Sequence, residues 1–176
     1  MPRLVLSTKE VKIKDVSFFS GRYDFLSNFS PAPVYIMVGK LWVKCATVEH
    51  AYQASKTLDM RWRSKIIDAP TPGAAKRIGW KVEKVIYWEE VKTVVMLELL
   101  RQKFTRAKMR TSLLATKDMP LIEGNNWHDN FWGQCFCGCG EDRSGNKIGE
   151  NMLGRLLERV RTDVRRGEKY SHKRVR

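Results

Sequence analysis

Apolar and polar residues along this chain follow two periodicities, one typical of strands and one typical of helices. Two short β-prone runs, Val34–Val38 and residues 41–43, flank Gly39 and Lys40, which form a two-residue hairpin signal. We therefore expect an antiparallel strand pair in the first third of the chain.

Capping residues mark two helices after this hairpin. Thr47 is a good N-cap for a helix that runs to about Lys56. Thr71 supplies a second N-cap, and Pro72 fits the first helical position of a helix that continues through Ile78.

The second half of the chain has longer runs at helical spacing. Trp88 opens the longest predicted helix, whose buried stripe consists of Val91, Val94, Val95, Leu99 and Phe104. A further helix is predicted in residues 106–115, and the last begins near Asn151. The apolar face of the last helix consists of Met152, Leu153, Leu156, Leu157, Val160 and Val164. These elements predict an α+β fold that is predominantly helical, a single compact domain with a small antiparallel sheet.

The length of 176 residues suits one hydrophobic core. We divide the chain into an N-terminal extension (1–16), a domain (17–166) and a basic C-terminal tail (167–176). No apolar run approaches the about 18 residues of a membrane span, and the first residues lack the apolar region of a signal peptide. We expect a cytoplasmic protein without membrane contact.

Positive charge exceeds negative charge, with 33 Lys and Arg against 19 Asp and Glu. Such a surface attracts phosphorylated ligands or nucleic acid. The excess is concentrated in residues 155–176, which either form a solvated end or contact DNA.

Three of the four cysteines, Cys135, Cys137 and Cys139, lie close together. With His128 they suggest a zinc site, but C-x-C spacing is not the usual C-x-x-C knuckle. We expect a reduced loop without metal, and no cofactor.

Three segments combine residue types that suit chemistry. Glu49, Gln53 and Lys56 share one helix face, which is either a solvent-facing ion-pair stripe or a site.

Asp129 lies among large aromatic residues in the Gly- and Asn-rich segment 123–150. Loss of solvation there would suit its carboxylate to proton transfer. The alternative is a turn aspartate among ordinary core aromatics. Arg22 in the aromatic segment 19–29 either grips phosphate or is a surface arginine.

Taken together, the motifs resemble the NADAR (YbiA-like) family of N-glycosidases over residues 17–165. Five segments in the family's order carry the resemblance: Phe25-Leu26-Ser27-Asn28-Phe29; Val48-Glu49-His50-Ala51-Tyr52-Gln53 with Lys56; Trp88 with Lys92, Met96 and Lys103-Phe104; Asp129 with Trp132-Gly133; and Gly149 with Asn151-Met152-Leu153-Gly154. The resemblance implies cleavage of the bond between ribose and nitrogen. The implied substrates are phosphorylated early intermediates of riboflavin synthesis in one branch and ADP-ribose attached to guanine in another.

Carried over by motif position, the resemblance implies a site formed by Arg22, Glu49, Lys56, Trp88, Asp129 and Trp132, with Asn28 lining it. Tyr87 stands where the family usually has a helix-capping aspartate. The cysteine cluster resembles an insertion, and the tail beyond Gly167 lies outside the resemblance.

Cleavage of a C1′–N bond develops positive charge at the anomeric carbon and requires protonation of the leaving nitrogen. Glu49 and Asp129 are the candidate carboxylates, and Lys56 is a candidate nucleophile if burial lowers its pKa. Arg22 would hold phosphate, and Trp88 and Trp132 would sandwich the base. The partner is then a nucleotide-like small molecule or ADP-ribosylated nucleic acid; a non-catalytic nucleic-acid-binding module is the alternative.

Overall fold

The computed structural model describes residues 16–137 and 149–168. The first half contains strand β1 (Val16–Ser17), a 3-10 helix (Gly21–Leu26), strands β2 (Val34–Val38) and β3 (Leu41–Cys45), and helices α1 (Val48–Ala54), α2 (Met60–Ile67) and α3 (Pro72–Gly79). The second half contains helices α4 (Trp88–Phe104) and α5 (Ala107–Ala115), strands β4 (Leu121–Ile122), β5 (Gly124–Asn125) and β6 (Gln134–Cys135), and helix α6 (Met152–Arg165).

The predicted hairpin is confirmed. Strands β2 and β3 pair antiparallel with Val38 opposite Leu41, and Gly39 takes the left-handed conformation, φ 61°, that a tight hairpin turn requires. Two further pairs, β1 with β4 and β5 with β6, are parallel. The prediction of an antiparallel sheet therefore covers the hairpin alone. Parallel pairs join distant segments, so no local turn signal announces them.

Both predicted helix caps are present. The Thr47 hydroxyl accepts a hydrogen bond from the His50 amide, and the Thr71 hydroxyl accepts one from the Ala74 amide. Helix α2 was not predicted, and Ile66 is the one buried residue in it. Its start depends on a cap, since the Asp59 carboxylate accepts from the amides of the first turn.

Helix α4 begins at Trp88 as predicted, and Tyr87 caps it without a side-chain hydrogen bond. Its buried face differs from the predicted stripe, since Val94 is 65% exposed. The helix packs against both α1 and α6, and this double contact buries a different face. The buried residues of α4 are Trp88, Met96, Leu97, Leu99, Leu100, Gln102, Lys103 and Phe104.

Helices α5 and α6 lie where the periodicity predicts them. On α6 every predicted apolar residue is buried or partly buried, which places this helix against α4 and β4. Within the described residues, no helix has both the length and the apolar character needed to cross a membrane.

Candidate active site

A cavity of about 520 Å³ opens between α1, residues 18–29 and residues 123–132. Its size is within the range of small-molecule sites, which is about 300–1,000 Å³. Its walls combine aromatic rings with several ionisable groups. Five of the seven residues predicted for the site line it: Asn28, Glu49, Lys56, Asp129 and Trp132.

One wall is the face of α1 and the residues that follow it. Glu49, Gln53 and Lys56 all line the cavity, and all are more than nine-tenths buried. This burial contradicts the interpretation of a solvent-facing ion-pair stripe. A backbone hydrogen bond joins the start of α1 to the cavity wall formed by residues 18–29. The Glu49 amide donates to the Asn28 carbonyl at 3.1 Å.

Burial raises the pKa of Glu49 above its usual range. Gln53 Nε2 donates to Glu49 Oε1 at 2.7 Å, and this hydrogen bond and the nearby Lys76 and Lys56 oppose the shift. A shift in this direction suits a carboxyl group to carry and deliver a proton.

The pKa of Lys56 is shifted in the opposite direction. Burial lowers its pKa to about 8, and the Glu49 carboxylate offsets part of that effect. Its ammonium group lies 5.4 Å from the centre of the Tyr52 ring. A lysine with this pKa has a substantial neutral fraction at physiological pH and can act as a nucleophile.

Glu123 is a carboxylate of the cavity that the sequence analysis missed. Burial and the nearby Asp129 raise its pKa to about 7. Asn151 fixes this segment, since its side chain accepts from the Glu123 amide at 3.0 Å and donates to the Leu121 carbonyl at 2.8 Å. Glu123 stands alone between two very short strands, so no periodic pattern in the sequence points to it.

Asp129 lies in a turn that Asn125 holds from inside. The Asn125 side chain donates to the Asp129 carbonyl at 2.8 Å and accepts from the Asp129 amide at 3.1 Å. Asp129 Oδ1 accepts from the Trp132 amide at 2.8 Å. The carboxylate is therefore fixed relative to the backbone of Trp132.

The predicted sandwich of a base between Trp88 and Trp132 is wrong. Tyr52 packs between the two rings, with ring centres 5.1 Å from Trp88 and 5.5 Å from Trp132. Trp88 is buried behind Tyr52 and does not line the cavity. Trp132 and Tyr52 are the aromatic residues of this group that face the cavity.

The structure does not bring Arg22 into the cavity. Its guanidinium lies 4.6 Å from the centre of the Tyr23 ring and donates to the Tyr23 hydroxyl, and it lines a separate shallow depression. A neighbouring side chain stabilises this outward conformation, so the role of Arg22 in phosphate binding stays a prediction.

A lysine surrounded by aromatic rings lies at the cavity wall that α3 forms. The Lys76 ammonium is 5.6 to 6.0 Å from the ring centres of Phe29, Trp80 and Trp127, which are exposed. All four residues line the cavity. Sequence reasoning missed this group because its members come from three separate segments.

Comparisons with known proteins show the family of this chain. The NADAR domain model matches residues 17–165. N-glycosidase YbiA of Escherichia coli (strain K12) is 36% identical over 154 residues, covering 85% of this chain and 88% of the relative. N-glycosidase Npun_R5314 of Nostoc punctiforme is 39% identical, covering 81% of this chain and 86% of the relative. The riboflavin biosynthesis protein VVA0006 of Vibrio vulnificus is 30% identical over 85% of this chain, which spans 38% of that protein.

The NMR structure of E. coli YbiA superposes with a TM-score of 0.68 at 32% identity, covering 92% of both chains. This match confirms the predicted single α+β domain. The fold and the site define a hydrolase that acts on N-glycosyl bonds. The chain belongs to the NADAR domain family.

Proposed function

We propose that the cavity hydrolyses the C1′–N bond of a ribosylated amine or base that also carries phosphate. The observation that carries this proposal is the pairing, on one buried wall, of Glu49 with a raised pKa and Lys56 with a pKa lowered to about 8. One group can deliver a proton and the other can attack carbon.

The proposed reaction runs through a Schiff base. Glu49 protonates the ribose ring oxygen, the ring opens, and the substrate nitrogen forms an iminium with C1′. The neutral Lys56 amine adds to C1′, and the original amine leaves after gaining a proton. Water then hydrolyses the Lys56 iminium, which releases the sugar and restores the amine. The Asp129 carboxylate stabilises the positive charge at C1′.

Two substrates fit this chemistry: a phosphoribosylamino-pyrimidine intermediate of riboflavin synthesis, and ADP-ribose attached to guanine. The riboflavin-related name of one relative supports the first. The exposed rings around Lys76 support the second, because nucleic acid binds to such combinations of cations and stacking surfaces. Parallel turnover assays on both compounds assign the substrate, and failure of both contradicts the proposed function.

Lys76 is the proposed phosphate contact at the cavity wall. Lys76→Ala is expected to raise KM about tenfold with kcat little changed, because the contact acts equally in the ground and transition states. Steady-state kinetics of Arg22→Ala provide the matched comparison, with KM expected to stay within about twofold. A larger effect for Arg22→Ala would instead support the phosphate role that the family resemblance implies.

The predicted DNA contact through the basic tail concerns residues 167–176, of which 169–176 lie outside the described residues. We propose that the tail delivers the enzyme to ADP-ribosylated DNA. Deleting 168–176 removes four Lys or Arg and one acid. On a DNA substrate this deletion is expected to raise KM and flatten its salt dependence by about one log–log unit for each lost phosphate contact. Identical KM and salt slopes for the two proteins would contradict this role.

A further inference from the structure

Three side chains with metal-binding atoms meet outside the cavity. His128, Cys135 and Cys137 place one ligand atom each within 4.8 Å of one another. Cys137 Sγ lies 2.8 Å from Cys135 Sγ and 3.3 Å from His128 Nδ1. Cys139, the third cysteine of the sequence cluster, lies outside the described residues.

The backbone holds these residues in place from several directions. Strand β6 pairs with β5, with Cys135 opposite Asn125, and the Cys135 amide donates to Asn130 Oδ1 at 3.2 Å. His128 has φ 66°, a left-handed conformation that is uncommon for a residue with a side chain and that occurs often at functional sites. With this backbone conformation, the His128 side chain lies close to those of Cys135 and Cys137.

We propose that His128, Cys135 and Cys137 are three of the ligands of one zinc ion. Thiolate and imidazole ligands favour zinc among the common divalent metals. Binding releases the thiol proton of each cysteine, while neutral His128 contributes a nitrogen lone pair.

The distances fit this assignment after a small movement. Two sulfurs bound to one tetrahedral zinc lie about 3.8 Å apart, given Zn–S bonds of about 2.3 Å. The observed 2.8 Å is shorter than this separation. A disulfide requires about 2.05 Å. Cys137 is exposed, so rotation of its side chain can open the pair.

The proposal departs from the metal-free loop that C-x-C spacing alone predicts. The folded chain supplies His128 as a third ligand. This residue precedes Asp129, so a bound ion would connect β6 to the turn that carries the carboxylate and Trp132. The expected role of the metal is to brace that turn, separately from the glycosidase chemistry.

Cobalt titration of the full chain, reduced and stripped of metal with chelator, tests the site. We expect one Co²⁺ per chain, with a thiolate-to-cobalt charge-transfer band that Zn²⁺ bleaches. Cys137→Ser and His128→Asn alter exposed residues, and asparagine tolerates the left-handed conformation at position 128, so both variants are expected to fold. Each is expected to weaken cobalt binding at least about tenfold. Cys45→Ala, which removes a thiol buried in β3, is the control and is expected to match the parent. Absence of the band from the parent, or identical titrations for the parent and Cys137→Ser, would overturn the proposal.

Discussion

Replacing Glu49 with glutamine is expected to lower kcat at least about a hundredfold, the scale on which positioned acid–base groups contribute. Glutamine keeps the shape of the side chain and can still accept the hydrogen bond from Gln53, but it cannot donate a proton as a carboxylic acid does. Steady-state turnover of the substrate identified by the parallel assays gives the measurement.

The same substitution is expected to leave the thermal midpoint nearly unchanged. Burial raises the pKa of Glu49, so its ionised form is costly in the folded protein and a neutral amide removes no favourable charge interaction of comparable size. Glu90→Gln, at an exposed position on α4, is the matched control and should retain parental turnover. Parental turnover in Glu49→Gln would remove this residue from the mechanism.

Asp129→Asn is expected to lose at least about a hundredfold in kcat for a different reason. An ionised carboxylate stabilises the positive charge that develops at C1′, and preorganised electrostatic groups contribute on this scale. The Asn125 hydrogen bonds to the Asp129 backbone remain in the variant, so the turn should stay folded. Turnover equal to the parent would show that Asp129 has no part in the reaction.

The part of the site that lies on one helix could be predicted from the sequence. Glu49 and Gln53 share a face of α1 because of helical periodicity, which is a local property, and Lys56 lies in the turn that follows the helix. Periodicity did not show that this face is buried against other segments. The choice between a solvent-facing ion-pair stripe and a site on this helix face therefore depended on the family resemblance.

The remaining part of the site depends on tertiary contacts. Glu123 enters the cavity because β4 and β5 pair with strands distant in sequence, and Asn151 locks the segment between them. The error over Trp88 has the same origin. Both tryptophans lie near the site, but only docking of α1 against α4 shows that Tyr52 separates them. The sequence motifs identify residues near the site, but they do not show how the side chains of those residues pack against one another.

Lys56 is expected to form a covalent adduct with substrate when sodium cyanoborohydride is present during turnover. The reductant converts a Schiff base into a stable secondary amine, so the peptide that contains Lys56 should gain the mass of the reduced sugar. Activity should be lost irreversibly, and only when substrate and reductant are present together. Peptide mass spectrometry locates the adduct.

The pH dependence follows from the lowered pKa of about 8 for Lys56. Below this pH the amine is protonated and lacks a lone pair, so the rate of attack should fall about tenfold for each further unit of acidity. Above it the neutral amine predominates and the dependence levels off. A plot of log kcat against pH should show the rising limb in the parent enzyme.

Lys56→Arg and Lys56→Met are expected to lower kcat at least about a thousandfold, the scale seen when a catalytic nucleophile is removed. Arginine keeps the positive charge but stays protonated, so the pair separates nucleophilic attack from simple charge stabilisation. Lys44→Met, at an exposed position on β3, is the control for loss of a lysine and should react as the parent does. Substantial turnover by Lys56→Arg, with no adduct in the parent, would rule out the Schiff base. Water would then attack C1′ directly, and Lys56 would act through its charge alone.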